Sequence, residues 1–482
     1  MAFNDLRQFI HFLEKEGELI RISTPVEPKF EIGAINRLLV ENKGPAVLFE
    51  RVKGAPAPVA TFLFGSQRRI DIAFGTENQE QTVRKYLEAL ESDWPEPVVV
   101  DSGPCKENII RDPDLTKDIP NITWGELDGG PYVTLPLLVT KDVGKGKRNV
   151  GIYRVMIHGP KEAGILIVPT QHIGRMYTEY ERVDEPMEVA IFLGGDPLLY
   201  VLGAAPLRYG DDEFSLLNAI RSEPVQLVKC ETVDLEVPAT AEVVIEGVVL
   251  PKVRKPEGPF GEYTGYYGKR GERPVFQVKC ITHRDSYIWP GAYVTKPYPP
   301  NEDTTVRSVS VDAGILSQAR KVIPEIKNFH MFKSSGDSYV GVVQIRNKPY
   351  GHFAKQVMDA IWATHKGCWI KFLIVVDEDI DIYSVDDVIW AISMRVQPHS
   401  DTFIIDEHIG YPLDPSANVP GISSHMGIDA TVKIPERFTE YPPLSIPSES
   451  LMTKIKDKFG REDFWQKLFG RKFEKKPFSS LI

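Results

Sequence analysis

Residues 241–267 read AEVVIEGVVLPKVRKPEGPFGEYTGYY. The first part, with Val243, Val244, Ile245, Val248 and Val249, is a β-branched run that reads as a strand. The second part differs in kind. Glu257 and Glu262 stand five residues apart, and Gly258, Pro259 and Gly261 between them are residue types that bend a backbone. Side chains alternate faces along a strand, so an odd offset sends these carboxylates to opposite sides. They share a pocket only if the Gly-Pro-x-Gly segment turns the chain. Two readings follow from the stretch alone: a solvated turn with two surface glutamates, or a converging pair in which repulsion and burial keep one carboxyl protonated for proton transfer near neutral pH.

Outward from this stretch the β texture extends over 122–300, through YVTLPLLVTKDV (132–143), NVGIYRVMIHG (149–159), GILIVPT (164–170), PVQLVKCETVDLEVP (224–238), PVFQVKCITHR (274–284) and DSYIWPGAY (285–293), separated by Gly, Pro and Asp turns. Many strands with few helices predict a β-barrel, with 185–206 and 212–222 as helical insertions. The flanks alternate helix and strand. Leu6, Phe9, Ile10 and Leu13 mark one face of an opening helix, capped by Asn4 or Asp5 and ended by Gly17. Strands at 18–23 and 46–52 and helices at 31–42 and 82–90 follow, and 93–115 reads as an irregular connection. Beyond Pro300, helices at 308–323, 353–365 and 385–396 alternate with strands at 340–347 and 371–382. Leu451, Ile455, Phe459 and Trp465 then mark a terminal helical stretch, 451–469, suited to docking on a second subunit. The expected organisation is an α/β domain over 1–115, a β-barrel domain over 116–300, an α/β domain over 301–445 and a helical tail over 446–482.

A chain of 482 residues with 42% hydrophobic content can bury a large core, and a net charge of −10 argues against a protein devoted to nucleic-acid phosphates. Cys105, Cys230, Cys280 and Cys368 form no C-x-x-C pair, which fits reduced thiols and a cytoplasmic protein. No apolar run has the length of a membrane span, and no P-loop, G-x-G-x-x-G or G-x-S-x-G occurs.

Other positions carry chemistry. Asn149 and Arg154, on what reads as one strand, offer an amide oxygen for a hard cation and a guanidinium for a carboxylate; an edge-strand pair reads equally well. His172 follows the strand GILIVPT, where a ring can reach a cleft or simply be hydrogen-bonded in place. Glu213 stands at a helix start, where a carboxylate also suits the helix dipole.

Taken in order, DGGPYVTLPLLVTKD, NVGIYR, PTQH, EPVQLVKCETVDLEVPATAEVVIEG, EGPFGEYTGYY, KFLIVVDEDIDI and HMGIDAT resemble the UbiD family of prenylated-FMN-dependent (de)carboxylases over nearly the whole chain. The resemblance implies an N-terminal α/β domain, a central split β-barrel of flavin-reductase type that binds the FMN, and a C-terminal α/β domain. It assigns Asn149, His172 and Glu213 to a divalent metal, manganese or magnesium, that bridges to the flavin phosphate. A nearby potassium ion is implied too, with ligands that include backbone carbonyls. Gln171 matches a flavin contact and Lys371 a phosphate contact.

The catalytic Glu-Arg-Glu network of the family falls on Glu257, Arg154 and Glu262. Arg154 would orient the substrate carboxylate and touch the flavin, Glu257 would aim Arg154, and Glu262 would donate the proton. Loss of carbon dioxide from an sp² carbon leaves a carbanion for which no side chain offers an electron sink, so a cofactor is required. By position, Asp303 and Thr304 face the reacting ring. The implied activity is reversible non-oxidative decarboxylation of an aromatic, heteroaromatic or α,β-unsaturated acid, with physiological carboxylation or a non-catalytic flavin-binding subunit as alternatives. A flavin prenyltransferase would supply the cofactor, and a homodimer or homohexamer is expected, with neither nucleic acid nor membrane as partner.

Overall fold

The computed structural model describes residues 3–144, 146–433 and 442–459. The chain divides into two compact units, the first built mainly from residues 1–314 and the second mainly from 339–411 and the residues beyond 421.

The first unit is organised on the strand Ala241–Glu257. It lies within an antiparallel sheet ordered Tyr132–Val133, Val155–Ile157, Glu162–Ile165, Gly271–His283, Ala241–Glu257, Met187–Gly194, Leu137–Lys141 and Arg148–Ile152. The two end strands do not pair with each other, which leaves an open half-barrel. Its central strands read as unbroken apolar runs because both faces are covered. Val189, Ile191, Leu193, Val243 and Ile245 enter one core cluster, while Ala190, Phe192, Ala241 and Val244 enter another. The expected barrel is present as this open half-barrel, and Glu213–Arg221 is one of its helical insertions; of 185–206 only Leu198–Leu202 is helical, because Met187–Gly194 is a strand paired on both sides within the sheet.

Local readings change in three places. Residues 93–115 hold a strand, Asn108–Ile110, that pairs with Gly271–His283. NVGIYRVMIHG forms two strands, Arg148–Ile152 and Val155–Ile157, so Asn149 and Arg154 do not share one. GILIVPT is strand only to Ile165, and His172 opens the helix His172–Val183 instead of closing a strand. In the last two cases the apolar run outlasts the hydrogen-bonded ladder, which ends where the partner strand ends.

The N-terminal part of this unit carries a four-stranded sheet, Leu19–Ile22, Ala46–Phe49, Val59–Thr61 and Trp289–Gly291, with helices Leu6–Lys15, Glu31–Glu41, Gln67–Phe74 and Gln79–Glu91. The opening helix is capped by Asp5, whose side chain accepts the N–H of Gln8, and Gly17 just beyond it has φ +73°.

The second unit is a five-stranded sheet ordered Ile326–Met331, Val340–Ile345, Phe372–Asp377, Ile422–Asp429 and Thr402–Ile409. Its three inner strands run parallel, joined through helices Phe353–Trp362 and Val385–Arg395. The helix Glu302–Arg320 begins in the first unit and ends in the second. The terminal helix spans Glu449–Lys458, and Trp465 lies outside the described residues. Among the described residues no helix is long and apolar enough to cross a membrane, and all four cysteines are free thiols.

Candidate active site

Glu257 is the last residue of the long strand. Gly258 takes φ +93°, so the chain turns before Phe260–Gly261 pairs with Tyr267–Gly268 in a small hairpin. That turn removes the alternation that would otherwise part the two glutamates. Both reach Arg154, which lies in the break between Arg148–Ile152 and Val155–Ile157. Arg154 Nε and Nη2 donate to Glu257 Oε1 and Oε2, each at 2.9 Å, in a bidentate fork. Arg154 Nη1 donates to Glu262 Oε1.

All three groups are withdrawn from water: Glu257 is 0% exposed, Glu262 is 8% exposed, and the Arg154 side chain is 9% exposed. The solvated-turn reading is thereby excluded. The Arg154 guanidinium lies 4.7 Å from the Phe260 ring centroid, so the turn also supplies an aromatic face beneath the cation.

The electrostatics separate the glutamates. Burial pushes the Glu262 carboxyl above its ordinary range; Arg154 opposes this, while the charges of Asp303 and Glu257 reinforce it. Burial tends to lower the pKa of Arg154, but Glu262 and Glu257 together raise it above the usual value, so it stays charged.

A second group forms around Tyr153. Asn149, paired with Thr140 and 3% exposed, turns its Nδ2 to the Tyr153 hydroxyl at 3.4 Å. The backbone N–H of Ile173 acts on the same hydroxyl, which brings in the start of the helix His172–Val183. A Cβ on Gly151 would stand 2.5 Å from the Tyr153 ring, so only glycine leaves room for the ring to fold back. Glu213, first in its helix and 3% exposed, accepts the N–H of Val150 at 2.9 Å, one residue from Asn149. Burial raises the Glu213 pKa to about 8. His172 packs edge-on to Tyr209, with ring centroids 5.6 Å apart. Gln171 occupies the cap position of the helix, and its Oε1 is buried without a hydrogen-bond partner.

The remaining expected residues lie on other elements. Asp303 and Thr304 stand in the first turn of Glu302–Arg320. Asp303 forms an ion pair with Arg307 at 3.6 Å. Thr304 is fully buried and turns its hydroxyl to the Asn301 carbonyl at 3.1 Å, serving the helix start. Lys371 belongs to the second unit, where its N–H donates to Tyr339 O at 3.0 Å and its Nζ lies 5.7 Å from the Tyr339 ring centroid.

Sequence reasoning passed over Tyr132 and Asp128. Tyr132 donates its hydroxyl to Glu257 Oε1 at 3.0 Å, and Asp128 accepts the N–H of Gly261 at 3.1 Å. The available signal was the Gly129-Gly130 turn between an acid and an aromatic strand start.

The half-barrel thus brings one arginine and two buried carboxylates together. Three family models match in succession: the 3-octaprenyl-4-hydroxybenzoate carboxy-lyase N-terminal domain at residues 10–90, the Rift-related domain at 97–297 and the C-terminal domain at 304–430. The chain belongs to the UbiD family of carboxy-lyases. It is 33% identical over 485 residues to a phenolic acid decarboxylase of Sedimentibacter hydroxybenzoicus, covering 97% of this chain and 98% of that one. An uncharacterized protein of Archaeoglobus fulgidus is 34% identical over 452 residues, covering 90% and 92%. Among solved structures, the UbiD-class enzyme HmfF of Pelotomaculum thermopropionicum in complex with FMN superposes with a TM-score of 0.85 at 36% identity, covering 93% of this chain and 98% of that one. The vanillic acid decarboxylase of S. hydroxybenzoicus in its closed form gives 0.87 at 31%, covering 96% and 100%.

Proposed function

We propose that this protein catalyses reversible non-oxidative decarboxylation of an aromatic, heteroaromatic or α,β-unsaturated carboxylic acid with prenylated FMN as cofactor. The observation that carries the reading is the grip of two buried glutamates on one arginine. The planar fork of Arg154 presents more N–H bonds than the glutamates take, so donors remain for a substrate carboxylate. Glu257 keeps the fork aimed, which holds the scissile carboxylate in one orientation. Glu262, whose pKa burial raises, delivers a proton from its carboxyl oxygen to the carbon that has lost carbon dioxide. Burial of the group limits competing protonation by water. Prenylated FMN, when bound, supplies the electron sink that the side chains lack.

The residues around Tyr153 fit a cofactor held through a metal. Asn149, His172 and Glu213 offer an amide oxygen, an imidazole nitrogen and a carboxylate, a donor set suited to manganese or magnesium. Glu213 is a buried carboxyl that accepts a backbone N–H, and Gln171 Oε1 is a buried acceptor awaiting a donor. These would hold the divalent ion and the flavin, with potassium as a companion ion and Lys371 toward the phosphate by resemblance. The alignment with HmfF, solved in complex with FMN and, in an evolved dimeric form, with prFMN, supports the same cofactor. A homodimer or homohexamer, contacted through the terminal helix, completes the reading.

Co-expression with a flavin prenyltransferase tests it. The purified chain is expected to show the absorption of the prenylated flavin together with bound manganese, and His172→Ala to lose both. A wild-type chain that retains neither flavin nor metal would sink the proposal.

A further inference from the structure

The segment Gly125–Tyr132, GELDGGPY, grips the turn between the two glutamates in a way the reading above does not use. Asp128 accepts the N–H of Gly261 through Oδ1 at 3.1 Å and the N–H of Gly125 through Oδ2 at 2.7 Å. Gly129 donates its N–H to Pro259 O at 2.8 Å. The Tyr132 hydroxyl lies 3.0 Å from Glu257 Oε1 and 3.4 Å from Pro259 O. It has a single proton, and the shorter contact directs it to the carboxylate. The Tyr132 ring packs on Phe260 at 4.4 Å between centroids, and Phe260 in turn lies beneath the Arg154 guanidinium.

These contacts make chemically identical side chains unequal. Glu257 receives Arg154 Nε, Arg154 Nη2 and the Tyr132 hydroxyl, with Arg273 Nε 4.0 Å from Oε2 and the His158 imidazole within electrostatic reach. Glu262 receives Arg154 Nη1 and faces the negative charges of Asp303 and Glu257. Donors to a carboxylate favour its ionised form, and like charges favour the protonated form. Two coupled acids with one proton between them place it where the donors are fewer.

We propose that Tyr132 is a positioning residue: its hydroxyl fixes Glu257 as the carboxylate that anchors Arg154, which keeps the exchangeable proton of the pair on Glu262, while Asp128 holds the backbone beside Glu262 within reach of the substrate. The inference rests on the reading of Glu262 as proton donor.

Tyr132→Phe retains the ring on Phe260 and removes one oxygen, so the fold should survive, as thermal unfolding will show. In the cofactor-loaded enzyme kcat is expected to fall about tenfold, the worth of one hydrogen bond to a charged group, with little change in KM. A lower kcat alone would also follow from looser packing, so the deciding readout is infrared spectroscopy of the cofactor-free chain. The protonated-carboxyl band that Glu262→Gln removes from the otherwise wild-type chain is expected to shift when Tyr132→Phe is introduced, and in the Tyr132→Phe background to be weakened by Glu257→Gln as well. An unchanged spectrum overturns the proposal, whatever happens to kcat. A wild-type enzyme that holds its cofactor yet turns over no acid overturns the decarboxylation reading instead, and the infrared result is independent of that outcome.

Discussion

Glu257 and Glu262 meet the same arginine, and the difference between them comes from what else each one faces. Glu262 lies near Asp303, whose charge adds to burial in holding the Glu262 proton. A donor must be protonated to act, so activity is expected to fall on the alkaline side as pH rises through the elevated Glu262 value. Asp303→Asn removes one of the groups that raise it, and the alkaline limb of the kcat profile should move to lower pH; a limb that stays in place would separate Asp303 from the proton. Glu262→Gln should lower kcat by about 10²–10⁴-fold with the flavin spectrum intact. At this scale the sequence was legible in part. The two glutamates and the Gly-Pro-x-Gly turn were readable as a pair that converges only if the chain bends, but the arginine lies 103 and 108 residues away, and no periodicity links positions so far apart. That partner came from resemblance. Thr304 shows the converse, since its residue type does not reveal that the hydroxyl is turned to Asn301 O.

At the scale of elements, the site depends on two short segments held against each other. A Cβ on Gly129 would lie 2.2 Å from Gly258 O, closer than any side chain tolerates, and would push the turn away from Arg154. Gly129→Ala is expected to cost about 1–3 kcal/mol of stability and to reduce kcat more than tenfold, measured by urea unfolding and steady-state kinetics. Glu302 joins other elements of the same unit: its oxygens accept the N–H groups of Phe62 at 2.9 Å and Phe64 at 2.8 Å. Burial raises its pKa from 4.5 to about 7. Since the folded value is the higher, the associated stability is complete below the unfolded value and fades as pH rises through the folded one, a change of up to about 3 kcal/mol. Urea unfolding across that window should show the loss in wild type and a flatter profile in Glu302→Gln. Element types were largely readable from apolar runs, because the central strands are covered on both faces. Where strands end was not, as at Ile152 and Ile165, because a ladder stops with its partner.

Across the whole molecule, the alternation of α/β, β and α/β segments carried the order of the fold, and the open antiparallel sheet gives that order a physical reason. It brings Glu257 onto one framework with Arg154 and Asn149, about a hundred positions earlier in the chain, and the helices opening at His172 and Glu213 belong to the same unit. The central claim is that this framework removes and restores carbon dioxide at an sp² carbon by means of Arg154 and Glu262. Exchange of isotopically labelled bicarbonate into a panel of aromatic, heteroaromatic and α,β-unsaturated acids by the cofactor-loaded protein measures that directly. The account predicts label in at least one acid with wild type, and its loss with Arg154→Ala and Glu262→Gln variants that still carry the flavin; exchange that persists unchanged in those variants, or a loaded wild-type enzyme that labels none of the acids, would contradict it.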